Sequence, residues 1–278
     1  MAVACGSVAI EGTSLTEVAP LPVQLKECSG LIHLGHDTFI GLNDSGNPAE
    51  LFLFKLGSTS VAKVLKISGV TNHDWEELNM DEEYIYISDT GNNAGTRKNL
   101  AIYRIRKDQL FNETGIIAEI ISFNYPEQVN FAKGKKHNFD CEAMVCAGDS
   151  LYLFTKNRIN HMTDLYSLPK IPGNYNARHL GQFDAQGLVT GAAFRTTKSG
   201  NELALVGYKD KENGYHPFIV YFDKVNGTQF FETTARRFIF SGKQQTETIM
   251  FFDEQNVYVT NEGEHGDKTN IYKVNVKN

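Results

Sequence analysis

Five four-residue segments recur along the chain, each opening a hydrophobic run: Glu27-Cys-Ser-Gly, Asp74-Trp-Glu-Glu, Asp140-Cys-Glu-Ala, Val189-Thr-Gly-Ala and Gln245-Thr-Glu-Thr. Aligned, their first positions read Glu27, Asp74, Asp140, Val189 and Gln245, and their third positions Ser29, Glu76, Glu142, Gly191 and Glu247. Residues two apart on a strand point to the same side. If the five segments are equivalent, three glutamates and their acidic neighbours face one common axis. Bare carboxylates gathered there would repel one another and lose hydration, so a buried cation is the simplest remedy.

The repeats start about 47 to 66 residues apart, and each contains four short alternating runs bounded by Gly, Asn and Asp, with hardly any helical periodicity. The expected strands are 30–34, 38–43, 50–56 and 60–67; then 78–80, 84–88, 100–105 and 118–123; then 143–146, 151–155, 164–168 and 177–183. The fourth unit has 192–196, 202–207, 218–222 and 228–240. The fifth has 248–252, 256–260 and 270–276, one strand short. Two strand candidates near the N-terminus, 7–11 and 15–19, can supply that strand and close a ring without leaving a free edge. The pattern predicts an all-β, five-bladed β-propeller spanning 1–278 as a single domain, with residues 1–6 a tail or processed remnant.

Composition supports this. Twelve Tyr, 18 Phe and 24 Gly with seven Pro suit many short strands joined by tight turns. A net charge of −6 argues against a nucleic-acid polymer as partner, and no apolar run is long enough for a transmembrane helix. The expected state is a monomer. Cys28, Cys141 and Cys146 read as small buried hydrophobes. Residues Ala2-Val-Ala-Cys-Gly-Ser resemble the end of a bacterial lipoprotein signal, which implies lipid attachment at Cys5. The protein would then be periplasmic, outer-membrane-anchored or secreted; without such a signal it would be cytoplasmic.

In a propeller blade the innermost strand starts on the face where the second strand ends, so two polar series converge there. The second series is Asn43-Asp-Ser-Gly-Asn, Asp89-Thr-Gly-Asn-Asn, Lys156-Asn-Arg, Lys209-Asp and Asn261-Glu-Gly-Glu-His. Glu76, Glu142 and Glu247 form an oxygen donor set with Ser29 and Thr190 as weaker donors. Such a set favours calcium and not zinc, because no His or Cys group has zinc spacing. Asn43, Asn92, Asn93, Arg97, Lys156, Arg158, Lys209 and Glu262 are the expected rim residues for a small-molecule or glycan ligand. Arg97, Lys156, Arg158 and Lys209 would favour an anion. Asp44, Asp89 and His73 are candidate bases. Trp75, between two acids, is expected to point into the packing between blades.

The axial set resembles that of the calcium-activated nucleotidase (soluble apyrase) family. The resemblance implies a five-bladed propeller with an axial calcium held by a Ser, Glu, Glu, Ser, Glu ring, matched here by Ser29, Glu76, Glu142, Thr190 and Glu247. Thr190 replaces the second serine and lies one position before Gly191. Asn43-Asp-Ser-Gly-Asn, Asp74-Trp-Glu-Glu-Leu and Asp89-Thr-Gly-Asn-Asn also resemble segments of uncharacterised exported bacterial propellers, distantly similar to gluconolactonase- and paraoxonase-type lactonases, which have six blades. Three functions follow as expectations: a calcium-centred hydrolase of a small phosphoester, phosphoanhydride or lactone; a non-catalytic propeller with a structural calcium that binds a ligand or protein; and a glycosidase using paired carboxylates.

Overall fold

A computed structural model describes residues 6–111, 115–134, 136–211, 214–263 and 268–277. Cys5 and the last two residues of Asn261-Glu-Gly-Glu-His lie outside them. The chain forms five antiparallel sheets arranged as the blades of a propeller. From the centre outward, blade one is Cys28–Gly35, Thr38–Asn43, Glu50–Lys55 and Lys63–Ser68. Blade two is Trp75–Met80, Tyr84–Asp89, Leu100–Arg106 and Glu119–Asn124. Blade three is Cys141–Ala147, Ser150–Thr155, Thr163–Pro169 and Arg178–Phe183. Blade four is Leu188–Thr197, Gly200–Lys211, Gly214–Val225 and Ala235–Phe240. Blade five is Thr246–Phe251, Asn256–Asn261 and Asn270–Asn275, completed by Thr16–Pro20 from the other end of the chain. The inner strands stand side by side in this order and close on themselves. A 3-10 turn covers Lys107–Phe111; no helix among the described residues is long and apolar enough to cross a membrane.

Alternation along each strand explains the ring. Ile85 and Ile87 turn toward blade one and Tyr86 toward blade three, so each sheet is apolar on both faces. The buried side chains accordingly fall into five clusters, one at each junction between neighbouring blades. Trp75 is fully buried at the junction of blades one and two, 6.0 Å from the Tyr103 ring. Cys28 and Cys141 are buried free thiols.

Three outer additions escape the four-strand pattern. Ser7–Thr13 runs parallel to the outer strand of blade four, Ile116–Ile117 to that of blade one and Gly173–Asn176 to that of blade two. Segments arriving from elsewhere thus cap exposed edges, which would otherwise be templates for association. The expected 228–240 strand shortens to Ala235–Phe240. Thr16–Pro20 pairs with Asn270–Asn275 and ties the two ends of the chain together. Deleting residues 1–20 is expected to lower the melting temperature by at least about 5 °C and to promote aggregation through the bared edges. Scanning calorimetry with size-exclusion chromatography checks this; an unchanged melting temperature would contradict it.

Candidate functional site

Each inner strand carries a β-bulge near its start. The register slips at Cys28/Gly30, Trp75/Glu77, Cys141/Ala143, Val189/Gly191 and Thr246/Ile249. The extra residue is Ser29, Glu76, Glu142 or Thr190 in the first four blades, and Glu247 lies within the slip of the fifth. A bulge re-aims a side chain and breaks strict two-residue alternation. It also settles blade four: Thr190, not Gly191, is the counterpart of the three glutamates.

Four of these five residues line one polar funnel, a cavity of about 200 Å³ that Asp44, Asn93, Lys156, Arg158 and Glu262 also border. Thr190 is not among the lining residues: its hydroxyl donates to the Thr246 carbonyl at 2.7 Å. Ser29 does the same to the Trp75 carbonyl at 2.8 Å, and Thr90 to that of Cys141 at 2.8 Å. The Ser29 and Thr190 hydroxyls stitch neighbouring inner strands together, and Thr90 ties the end of the second strand of blade two to the inner strand of blade three. Deeper in the ring, buried Glu77 accepts hydrogen bonds from its neighbour Leu78 N and, across the hub, from Ala192 N at 3.2 Å.

The acids are not spread evenly. Asp44, Asp74 and Glu76 form one triad and Glu76, Asp140 and Glu142 a second, with one carboxylate oxygen per residue all within 4.8 Å inside each triad. Glu76 is shared. Burial, reinforced by the surrounding carboxylates, raises Glu76 well above the usual range. Burial and then the Asp44 and Asp140 charges push Asp74 up to about 7. Glu247, raised by burial to about 7, takes a hydrogen bond from Gln245 Nε2 at 2.6 Å. Gly91 backs the first triad: a Cβ there would lie 2.0 Å from Glu76 Oε1 and 2.5 Å from the Asp74 carboxyl.

Two cations meet the acids of the second triad. Lys156 is buried, with Nζ 2.6 Å from Glu142 Oε2 and 5.4 Å from the Tyr208 ring centroid. Burial opposes its charge, but the Glu142 carboxylate outweighs it and Lys156 is held well above its ordinary value. Arg158 pairs with Asp140 at 3.3 Å and approaches Glu142 at 3.8 Å, while contacting Asn93 Oδ1. Its buried Nε meets no acceptor among the described residues. Tyr208 and Tyr215, packed edge to face at 4.7 Å, complete this side.

Several expected rim residues serve the frame instead. Asp89, fully buried, accepts from Asp74 N, Arg97 Nη2 at 2.8 Å, Tyr103 Oη at 3.0 Å and His73 Nδ1 at 3.0 Å. Asp89, His73 and Arg97 are thus engaged in a knot beside the funnel rather than on its wall, with Arg97 also donating to the Gly91 carbonyl at 2.7 Å. Asn43 bonds the backbone of Glu27 and Gln24, and Asn92 that of Phe139 and Arg97. Lys209 is half-buried beyond the residues that form the wall. Of the three candidate bases, Asp44 alone borders the cavity. The two tyrosines were not anticipated from sequence, since Tyr208 alternates like a core residue of a long strand and gives no separate signal.

No family model and no curated protein matches the chain. Among solved structures, the chain is similar to a luciferin-regenerating enzyme at 12% identity and a TM-score of 0.50, over 96% of this chain and 93% of that one. At this identity the likeness is one of fold. A candidate 6-phosphogluconolactonase from Bacteroides uniformis aligns at 12% identity and a TM-score of 0.42, over 90% and 68% of the two chains. YCF48 bound to a D1 peptide aligns at 9% and 0.39, over 95% and 71%.

Proposed function

We propose that this propeller is a calcium-dependent hydrolase of a small anionic substrate, a phosphoester, phosphoanhydride or lactone. The observation that carries this reading is the mixed charge of the funnel: two carboxylate triads sharing Glu76, with Lys156 and Arg158 paired to acids of the second. Oxygen-only donors suit calcium. Bound there, the ion would supply Lewis acidity toward the scissile group and lower the pKa of water.

The chain's own groups supply the rest. Arg158, which borders the cavity, offers a directional donor to a substrate oxyanion, and Lys156 adds positive charge beside it. Glu247, set at about 7 by burial, is tuned to take a proton from water near neutral pH. The cavity of about 200 Å³ is smaller than the roughly 300–1,000 Å³ of pockets for drug-sized ligands, which favours a compact substrate. Three carboxylate oxygens within 4.8 Å of one another suit chelation; that spacing is well below the roughly 6.5–9.5 Å pair of an inverting glycosidase and near the roughly 5–5.5 Å pair of a retaining one.

A panel of small phosphoesters, phosphoanhydrides and lactones, assayed with calcium and with chelator, tests the reading. Calcium-dependent turnover is expected for at least one class. Glu247→Gln should lower kcat by about 100-fold and Arg158→Met should raise KM by about tenfold. Calcium binding without turnover of any of these classes would favour a non-catalytic binding propeller.

A further inference from the structure

Five inner strands meeting at a hub make the propeller axis the obvious seat for a cation, but an ammonium group already pairs with one of the hub acids. Lys156 Nζ lies against Glu142 at 2.6 Å, and Glu247 adds to the field that keeps it charged. Two residues on, Arg158 neutralises Asp140, whose other oxygen accepts from Asn92 N at 2.6 Å. Two of the three acids in the Glu76–Asp140–Glu142 triad are therefore compensated by the chain's own cations.

The Asp44–Asp74–Glu76 triad is different. Among the described residues, no Lys, Arg or His nitrogen comes within 4 Å of any of its three carboxylates. Glu76 is 4% exposed, and no donor among the described residues reaches its carboxylate. A buried, unpartnered carboxylate is costly. It faces two more carboxylates within 4.8 Å, in a recess where even the methyl group of an alanine at position 91 would collide with it. Three hard oxygen donors with no ion-pair partner within 4 Å among the described residues describe a site for a divalent cation of the calcium class.

We infer that the cation seat is off the axis, in the corner formed by Asp44, Asp74 and Glu76 between blades one and two, and that the Lys156 ammonium takes the place of a metal at the hub. This rests on the calcium-dependent reading above and moves its ion. It leaves Glu142, Glu247 and Lys156 for the substrate side of the funnel. Removing the ammonium should then release the hub acids to hold a second ion.

Calorimetric titration of the whole protein with calcium chloride at pH 7.5 tests this, with the melting temperature of each variant as a check of folding. The wild type is expected to bind one equivalent. Asp74→Asn and Asp44→Asn should each weaken binding by at least about 30-fold. Glu247→Gln and Thr190→Val should leave it within about threefold, as expected for groups outside the coordination shell. Lys156→Met, if folded, should raise the stoichiometry to two. Loss of binding in Glu247→Gln with retention in folded Asp74→Asn and Asp44→Asn would return the ion to the axis and overturn the inference while sparing calcium dependence. Absence of calcium binding by the wild type at millimolar concentration would overturn both.

Discussion

Metal-stripped protein is expected to lose melting temperature as pH rises from 5 to 8, and saturating calcium should remove the part of that loss that Asp74 carries. The sign follows from the two carboxyls set at about 7, Asp74 and Glu247. An acid whose folded pKa exceeds its unfolded value binds its proton more tightly in the folded state. Its stabilising contribution is complete below the unfolded value near 4 and disappears as pH climbs through about 7. Around Asp74 stand Asp44, Asp140 and Arg97; around Glu247 stand Lys156, Glu262 and Asp44. Each pKa unit is worth about 1.4 kcal/mol. Asp74 is partly solvated, so the pair of sites is assigned a total of about 2–3 kcal/mol between pH 5 and 8. For a chain of this length that is roughly 3–5 °C. At a hundredfold excess over its dissociation constant calcium adds about 2.7 kcal/mol, so the two melting curves should diverge most at pH 8. Thermal melts at three pH values, with and without calcium, read this directly. A melting temperature indifferent to both variables would contradict it.

The second large effect concerns the knot beside the funnel. Arg97→Met is expected to destabilise the fold by about 3–5 kcal/mol, because breaking a buried ion pair leaves an uncompensated charge. Asp89 has no exposed surface and draws its counter-charge from Arg97 Nη2 at 2.8 Å. His73 and Tyr103 hydrogen-bond its other oxygen. Arg97 also anchors the Gly91 carbonyl, the residue that leaves room for Glu76 and Asp74. The variant should therefore loosen calcium binding as well. Replacing Asp89 by Asn in the same chain removes the orphaned charge and should restore about half of the lost stability, since most of the penalty is desolvation of an unpaired ion. Chemical denaturation of the two variants checks both parts. A single variant within 1 kcal/mol of wild type would contradict the argument.

The blade count was legible because five tetrads precede five runs of the same alternating kind, and a single strand period is enough to carry that signal. The hub residues Ser29, Glu76, Glu142 and Glu247 were legible for the same reason. Blade four was not: Val189-Thr-Gly-Ala has no acid to fix its alignment, and the bulge that selects Thr190 is a property of the backbone ladder, invisible in residue types. Lys156 was readable as a cation near the rim but not as a buried partner of Glu142. The two stand 14 residues apart and meet only once Cys141–Ala147 and Ser150–Thr155 pair. Asp89 and His73 looked like bases because their chemistry fits; their engagement with Arg97 and Tyr103 depends on strands that the local pattern does not connect. The capping strands at Ile116–Ile117 and Gly173–Asn176 are too short to show any period.

The central claim is that carboxylates delivered by separate blades create one seat for a hard divalent ion. Crystals grown with calcium, then exchanged to manganese for anomalous diffraction, test it most directly. The expected result is one strong peak about 2.1–2.6 Å from carboxylate oxygens of Asp44, Asp74 and Glu76. A funnel without anomalous density at saturating manganese, with Glu76 unliganded, would contradict it.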